Sequence, residues 1–311
     1  MHRLYHTSWF IIKKTISSFR EDDSFSYAAL IAFSTIFSMP AILIIALSIG
    51  STFYEKEMVQ KELLNQVGGL IGRESTLEVE KILQNAAVDM SSTTARVLGI
   101  ATLLFSATTV FVALQSGLNN MWGIKPKPQK NWLKYIINRL LSFALVVSFG
   151  FLLLVSLLID TLLMIFQHII ERSFEGITPY ILGGANLVVS LLIITSIFAL
   201  MFKVLPDARI KWRDVWMGAF ITTILFTIGK YLIGIYLGSS TINSAYGAAG
   251  SLVVILVWIY YSTVIFLLGA EFTSVYAAES GRPIEPYSHA VRFKIVEIPN
   301  EKKFINTTEQ E

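Results

Sequence analysis

The sequence predicts an all-α, polytopic membrane protein: six transmembrane helices, an N-terminal amphipathic helix and a short helical extracytoplasmic loop. Three observations carry this. Only 15% of the 311 residues are charged, against about 25% in an ordinary soluble domain. The missing charge is concentrated in charge-free runs of 31, 28, 20, 27, 15 and 40 residues, at 24–54, 97–124, 140–159, 176–202, 215–229 and 231–270, and about 20 apolar residues suffice to cross a bilayer. Lys and Arg also alternate by loop, 17 on one side and 6 on the other, which puts both termini in the cytoplasm. A water-soluble globule, a nucleic-acid-binding domain and a disulfide scaffold are excluded.

Residues 1–25 place Leu4, Trp9, Ile12, Ile16 and Phe19 at helical spacing, with Arg3, Lys13, Lys14 and Arg20 largely elsewhere. This is either an interfacial amphipathic helix with basic residues near headgroups or a helix packed on the bundle. The transmembrane domain is 26–276. Its first span, 27–50, contains Pro40, which removes one donor and frees a carbonyl about four residues back.

The acidic loop 51–96 carries two capping signatures, Thr52-x-x-Glu55 and Ser75-x-x-Glu78, around Gly68-Gly69 and Gly72. They predict two short helices with a Gly-rich break. Span 2 is 97–117, followed by Asn119-Asn120-Met121-Trp122-Gly123 and the basic turn Lys125-Pro126-Lys127-Pro128. Span 3 is 140–167, span 4 is 180–204 (stopped by Leu205-Pro206-Asp207), span 5 is 215–237 and span 6 is 251–276. The tail 277–311 is mixed in charge and reads as loosely ordered and cytoplasmic. No cleavable signal peptide is expected, because the first apolar run is far longer than a 7–15-residue signal core.

Lys230 lies deep in span 5, where a cation costs ~2.5–3.5 kcal/mol on an insertion scale. With Thr223, Thr227, Gly234 and Gly238 it forms a small, polar stripe. One reading is a cationic site in a cavity, suited to an anionic headgroup or solute. The other is a close helix contact with Lys230 snorkelling. Asp160, in the outer part of span 3, is the candidate partner of Lys230. Glu271 of span 6 lies nearer the cytoplasmic face, where Lys203, Arg139 or Arg209 are candidate partners, and a bundle-tying ion pair is favoured over proton coupling. Gln115 and Asn119 share a face of span 2 with Thr108, a position where amides usually bond a neighbouring helix. Trp122, Trp132, Trp212 and Trp216 fall at the cytoplasmic edges as an aromatic belt.

No nucleophile–base set, phosphate-binding loop or H-E-x-x-H motif is present. There is no cysteine, and the four histidines are scattered. Neither an enzyme, a metal, a cofactor nor a nucleic-acid partner is expected.

Four stretches are similar to the YihY/virulence factor BrkB family of bacterial inner-membrane proteins. They are Ser26-Tyr27-Ala28-Ala29-Leu30-Ile31-Ala32-Phe33 with Pro40; 113–123, Ala-Leu-Gln-Ser-Gly-Leu-Asn-Asn-Met-Trp-Gly; 205–212, Leu-Pro-Asp-Ala-Arg-Ile-Lys-Trp, running on to Gly218-Ala219; and 246–251, Tyr-Gly-Ala-Ala-Gly-Ser, leading to Gly269-Ala270-Glu271. The resemblance implies six helices, cytoplasmic ends and location in the bacterial inner (plasma) membrane. Glu271 and Asn119 match its pattern, whereas Lys230 has no family role to carry over. Some members bear a tRNA-processing ribonuclease label, which this chain, lacking an acid cluster for catalytic metals, is not expected to merit. The functional expectation is a transporter-like or lipid-handling protein with membrane lipids as partners, an anionic lipid or solute as substrate, and a polar cavity lined by spans 1, 2, 5 and 6. The alternative is a non-transporting scaffold of envelope assembly that docks through loop 51–96. Oligomeric state stays open, since Gly234–Gly238 fits an internal or an intersubunit contact.

Overall fold

The computed structural model describes residues 2–52, 54–71, 73–85, 93–127, 178–239 and 250–293. Among them are eight helices: α1 His2–Glu21, α2 Ser24–Gly50, α3 Lys56–Ile71, α4 Arg73–Asn85, α5 Thr93–Met121, α6 Thr178–Val204, α7 Trp212–Ser239 and α8 Gly250–Glu279. Four short strands accompany them: β1 Ile124–Pro126, β2 Ala208–Arg209, β3 Glu285–Pro286 and β4 Ala290–Arg292. Four stretches, Ser24–Ser48, Leu187–Val204, Trp212–Tyr236 and Gly250–Glu279, are long and apolar enough to cross a membrane. The expected third span (140–167), with Asp160, Trp132 and Arg139, lies outside the described residues.

The bundle is built around α8, which touches α1 to α5 and α7, while α2 packs on α5 and α6 on α7. One core, at the end where α1 and the strands gather (the basal end), is filled by Phe19, Ile31, Leu118, Trp122, Phe202, Val215, Phe266 and Leu267. Phe202 and Phe266 stack there with centroids 5.2 Å apart. A second core, at the opposite end, joins Leu43 and Leu47 of α2, Ile255 and Ile259 of α8, and Val59, Val79 and Leu83 of α3 and α4. The outside is apolar as well. On α7 the exposed row Trp216, Phe220, Ile224, Ile228 runs at intervals of four, the pattern of a helix whose outer solvent is lipid.

Helix α2 runs unbroken through Pro40, which is half-buried, and the Ser38 hydroxyl donates to the Ser106 carbonyl of α5 at 2.6 Å. Between α1 and α2, Asp23 takes a positive φ of 51°, a conformation that short polar side chains tolerate. Its carboxylate accepts from the Ser26 hydroxyl at 2.8 Å.

The loop holds the two short helices expected of it, α3 and α4, separate between Ile71 and Arg73, but Gly68-Gly69 and the capping signatures resolve differently from expectation. Helix α3 continues through Gly68-Gly69 to Ile71, and a Cβ on Gly68 would lie 3.1 Å from Thr76 Oγ1. Gly68 lets α4 approach α3, and the helix runs on past it. Neither Thr52 nor Ser75 stands at the residue just before a helix. The Thr52 hydroxyl donates back to Ser48 O, and Ser75 lies inside α4.

Residues 280–293, part of the expected loose tail, carry β3 and β4. β3 pairs antiparallel with β2 (Ala208 opposite Pro286), and β4 with β1 (Lys125 opposite Val291). One left-handed glycine launches this strap and another launches the strand β1 that it pairs with. Gly281, at φ 69°, ends α8 in a Schellman motif, with Arg282 N donating to Ala277 O and Gly281 N to Ala278 O, an arrangement that favours Gly at that position. Gly123, at φ 61°, turns α5 into β1, and its carbonyl accepts from Phe293 N at 2.8 Å.

Candidate functional site

The sequence-predicted polar residues separate into three places. At the basal end, Gln115 and Asn119 of α5 meet on Asp207, in the link between α6 and α7. Asn119 Nδ2 donates to Asp207 Oδ2 at 2.9 Å, and Asp207 N donates back to Asn119 Oδ1 at 2.9 Å. Gln115 Nε2 donates to the same Oδ2 at 3.3 Å. On the other carboxylate oxygen, Asp207 Oδ1, lies His289 Nε2 at 2.8 Å. Tyr287 N donates to the Asp207 carbonyl, and the Tyr287 ring stacks on His289 and lies over the Arg209 guanidinium. One buried carboxylate therefore joins α5, the α6–α7 link and the strap, and all its oxygens are satisfied, as burial requires. Neither Asp207 nor His289 stands out in the sequence. Asp207 reads as part of a helix stop and His289 as an isolated histidine. Asn119→Ala, which leaves an N–H and a carboxylate oxygen short of partners, is expected to cost about 1–3 kcal/mol. The readout is a lower melting temperature in detergent together with faster proteolysis within 285–292.

Glu271 of α8 is 3% exposed, and its Oε2 has no hydrogen-bond partner among the described residues. Of the expected cations, Lys203 and Arg209 are engaged elsewhere, while Arg139 lies outside the described residues. Lys203 Nζ donates to Ile210 O and sits over the Trp212 ring, while Arg209 lies against Tyr287. A long cation near a helix end satisfies itself more cheaply on a backbone carbonyl and an aromatic face than by entering a dry helix interface. The charges that bear on Glu271 come from Asp22 and Glu21, at the α1–α2 turn. Burial holds the Asp22 carboxyl above its ordinary range, and Glu21 beside it pushes the same way. Next to Glu271 the indole of Trp122 donates to Ala270 O at 3.0 Å. Trp122 is 5% exposed, so it is a buried tie between α5 and α8 and not part of an interfacial belt. Trp212 and Trp216 are exposed as expected.

The α7 stripe does not act as one surface. The Thr223 hydroxyl is buried against α6, accepting from the Thr195 hydroxyl at 3.0 Å and donating to Ala219 O. Thr227 donates to its own helix at Thr223 O. Lys230 is half-buried and makes no hydrogen bond or ion pair among the described residues, and a Cβ on Gly234 would meet nothing within 4 Å. Pro40 is on α2, apart from these groups in sequence. Among the described residues no three His, Asp or Glu converge as a metal site would need.

The comparisons with known proteins agree with a membrane architecture. A UPF0761 membrane protein of Alkalilimnicola ehrlichii is 25% identical over 272 residues, covering 84% of this chain and 57% of the relative. A second, of Ralstonia nicotianae, is 25% identical over 262 residues, covering 82% and 56%. A third, of Idiomarina loihiensis, is 28% identical over 201 residues, covering 63% and 66%. The chain thus spans between about half and two thirds of the length of these relatives. No solved structure matches. The family model described as virulence factor BrkB matches residues 15–292, a stretch that takes in every contact of the Asp207 node and ends on the last residue of β4, and this membrane protein belongs to that family.

Proposed function

We propose that the chain is a carrier of the bacterial inner membrane that moves an envelope lipid or another anionic solute. The observation that carries the reading is Glu271, an ionisable side chain buried within a span and without a partner on Oε2 among the described residues. Such a group is expensive in lipid and is a functional-site hypothesis by default. Lys230, half-buried deep in α7, supports the anionic character of the cargo. The excess of Lys and Arg in the basal loops supports a cytoplasmic basal end with both termini there. In this reading the path runs along α8, between α2, α5 and α7, and the Asp207 node holds its cytoplasmic end shut.

The test is reconstitution in liposomes, with one arm following a fluorescent anionic phospholipid and another an encapsulated anionic dye. The expected result is movement in one arm above protein-free vesicles, reduced at least tenfold by Glu271→Gln and by Lys230→Met, in variants that still elute as monodisperse protein. Equal rates in protein-containing and protein-free vesicles in both arms overturn the reading.

A further inference from the structure

Helix α1 presents two apolar faces, and the protein covers only one. Ile11, Thr15 and Phe19 are buried, on the side packed against α8 and the start of α2. The Lys14 ammonium, 2.7 Å from Glu279 Oε1, fastens the helix to the end of α8. One residue further round, a helix turns by about 100°, and there Trp9, Ile12 and Ile16 are 68%, 47% and 45% exposed. Arg20 and Lys13 follow at the edge of this row and are exposed as well. The remaining side carries Ser17, bonded to Glu21, and Phe10 under the Lys14 ammonium.

The position of the helix selects what covers the open row. A two-residue turn joins α1 to the spanning helix α2, and the Phe19 and Phe25 rings pack edge to face across it, 5.4 Å apart. The outward side of α2 continues with exposed Phe25, Leu30, Phe33 and Phe37. An apolar row flanked by cations, beginning where a span leaves the bilayer, matches the boundary between acyl chains and anionic headgroups. We propose that α1 lies in the headgroup layer of an anionic phospholipid surface, with Trp9, Ile12 and Ile16 toward the acyl chains and Lys13 and Arg20 on the headgroups. This rests on the membrane placement of α2 and not on the carrier reading.

The chain contains no cysteine, so single labels can be placed on the full-length protein. Nitroxides at Ile12→Cys, Ile16→Cys and Ser17→Cys are read in phosphatidylcholine vesicles with and without phosphatidylglycerol. Positions 12 and 16 are expected to collide with oxygen and to meet an aqueous nickel complex several-fold less than position 17. Their nickel access should fall further with phosphatidylglycerol and recover with Lys13→Glu plus Arg20→Glu. Equal nickel access at 12, 16 and 17 overturns the proposal. Dipolar broadening between labels at 16 also overturns it, by assigning the row to a second copy of the chain.

Discussion

Gly218→Ala is expected to destabilise the protein by about 3 kcal/mol, the upper part of the range for overpacked cores. Helices α7 and α8 meet through a reciprocal pair of notches. A Cβ on Gly218 would fall 1.8 Å from Thr273 Oγ1 and 2.8 Å from its Cβ, and one on Gly269 would fall 1.9 Å from Thr222 Oγ1. On each helix the glycine and the threonine are four residues apart, so each Thr fills the other helix's notch. Each hydroxyl is turned back onto its own helix, Thr222 to Gly218 O and Thr273 to Gly269 O, both at 2.7 Å. Neither threonine can swing aside without giving up that bond, so the helices must separate along α8, the rod that most other elements touch. The melting temperature in detergent should fall sharply for Gly218→Ala and for Gly269→Ala. Adding Thr273→Gly to Gly218→Ala should restore most of the loss, because the notch is then moved and not merely filled. Gly234→Ala is the control. With nothing within 4 Å of its Cβ, it should be tolerated or gain a few tenths of a kcal/mol from helix propensity. Equal losses at 218 and 234 would sink the argument.

That comparison also shows how far the sequence can be read. Charge-free runs announce α2, α5, α6, α7 and α8, since an apolar span of about 20 residues has few alternatives in lipid. Motif spacing offers Gly234–Gly238 as a contact within the chain or between subunits, and Gly218-x-x-x-Thr222 and Gly269-x-x-x-Thr273, with the same spacing, are the ones that touch within the chain, where Gly234 meets nothing within 4 Å. The difference is which face meets a neighbour, and that depends on helix rotation, which a nearly all-apolar span hardly encodes. Gln115 and Asn119 were legible as amides in need of a partner. Asp207 and His289 were not, because the node joins residues 82 to 92 positions apart through strands of two and three residues, too short to leave any periodicity. Glu271 is legible as an acid within span 6, but depth alone pairs it with Lys203 or Arg209, a criterion blind to the carbonyl of Ile210 and the rings of Trp212 and Tyr287 that hold those cations.

The second large effect is expected at Arg282. Its guanidinium grips Asp214 in the first turn of α7 with Nη2 to Oδ1 at 2.6 Å and Nε to Oδ2 at 3.1 Å, and the Asp214 side chain is 1% exposed. The fork geometry suits Arg and not Lys, and its hydrogen bonds to Asp214 hold the guanidinium above its already high ordinary range. Asp214 gains little elsewhere. Its backbone N–H is already used on Lys211 O, and the N-terminal dipole of α7 offsets only part of a buried charge. Arg282→Ala therefore leaves a carboxylate in a dry site. The melting temperature should drop by several degrees, and Arg282→Lys should recover only part of that. Removing both charges, with Asp214→Ala and Arg282→Met, should destabilise less than Arg282→Ala alone, because most of the penalty is the stranded ion and not the lost attraction. A double-mutant cycle decides the matter. If the two single changes simply add, the pair is a surface contact and the strap is held by its strands alone. If the double variant is the more stable, the strap is fastened by charge at Asp214 as well as by hydrogen bonding at Asp207, and two buried carboxylates tie it to the α6–α7 link and to the first turn of α7.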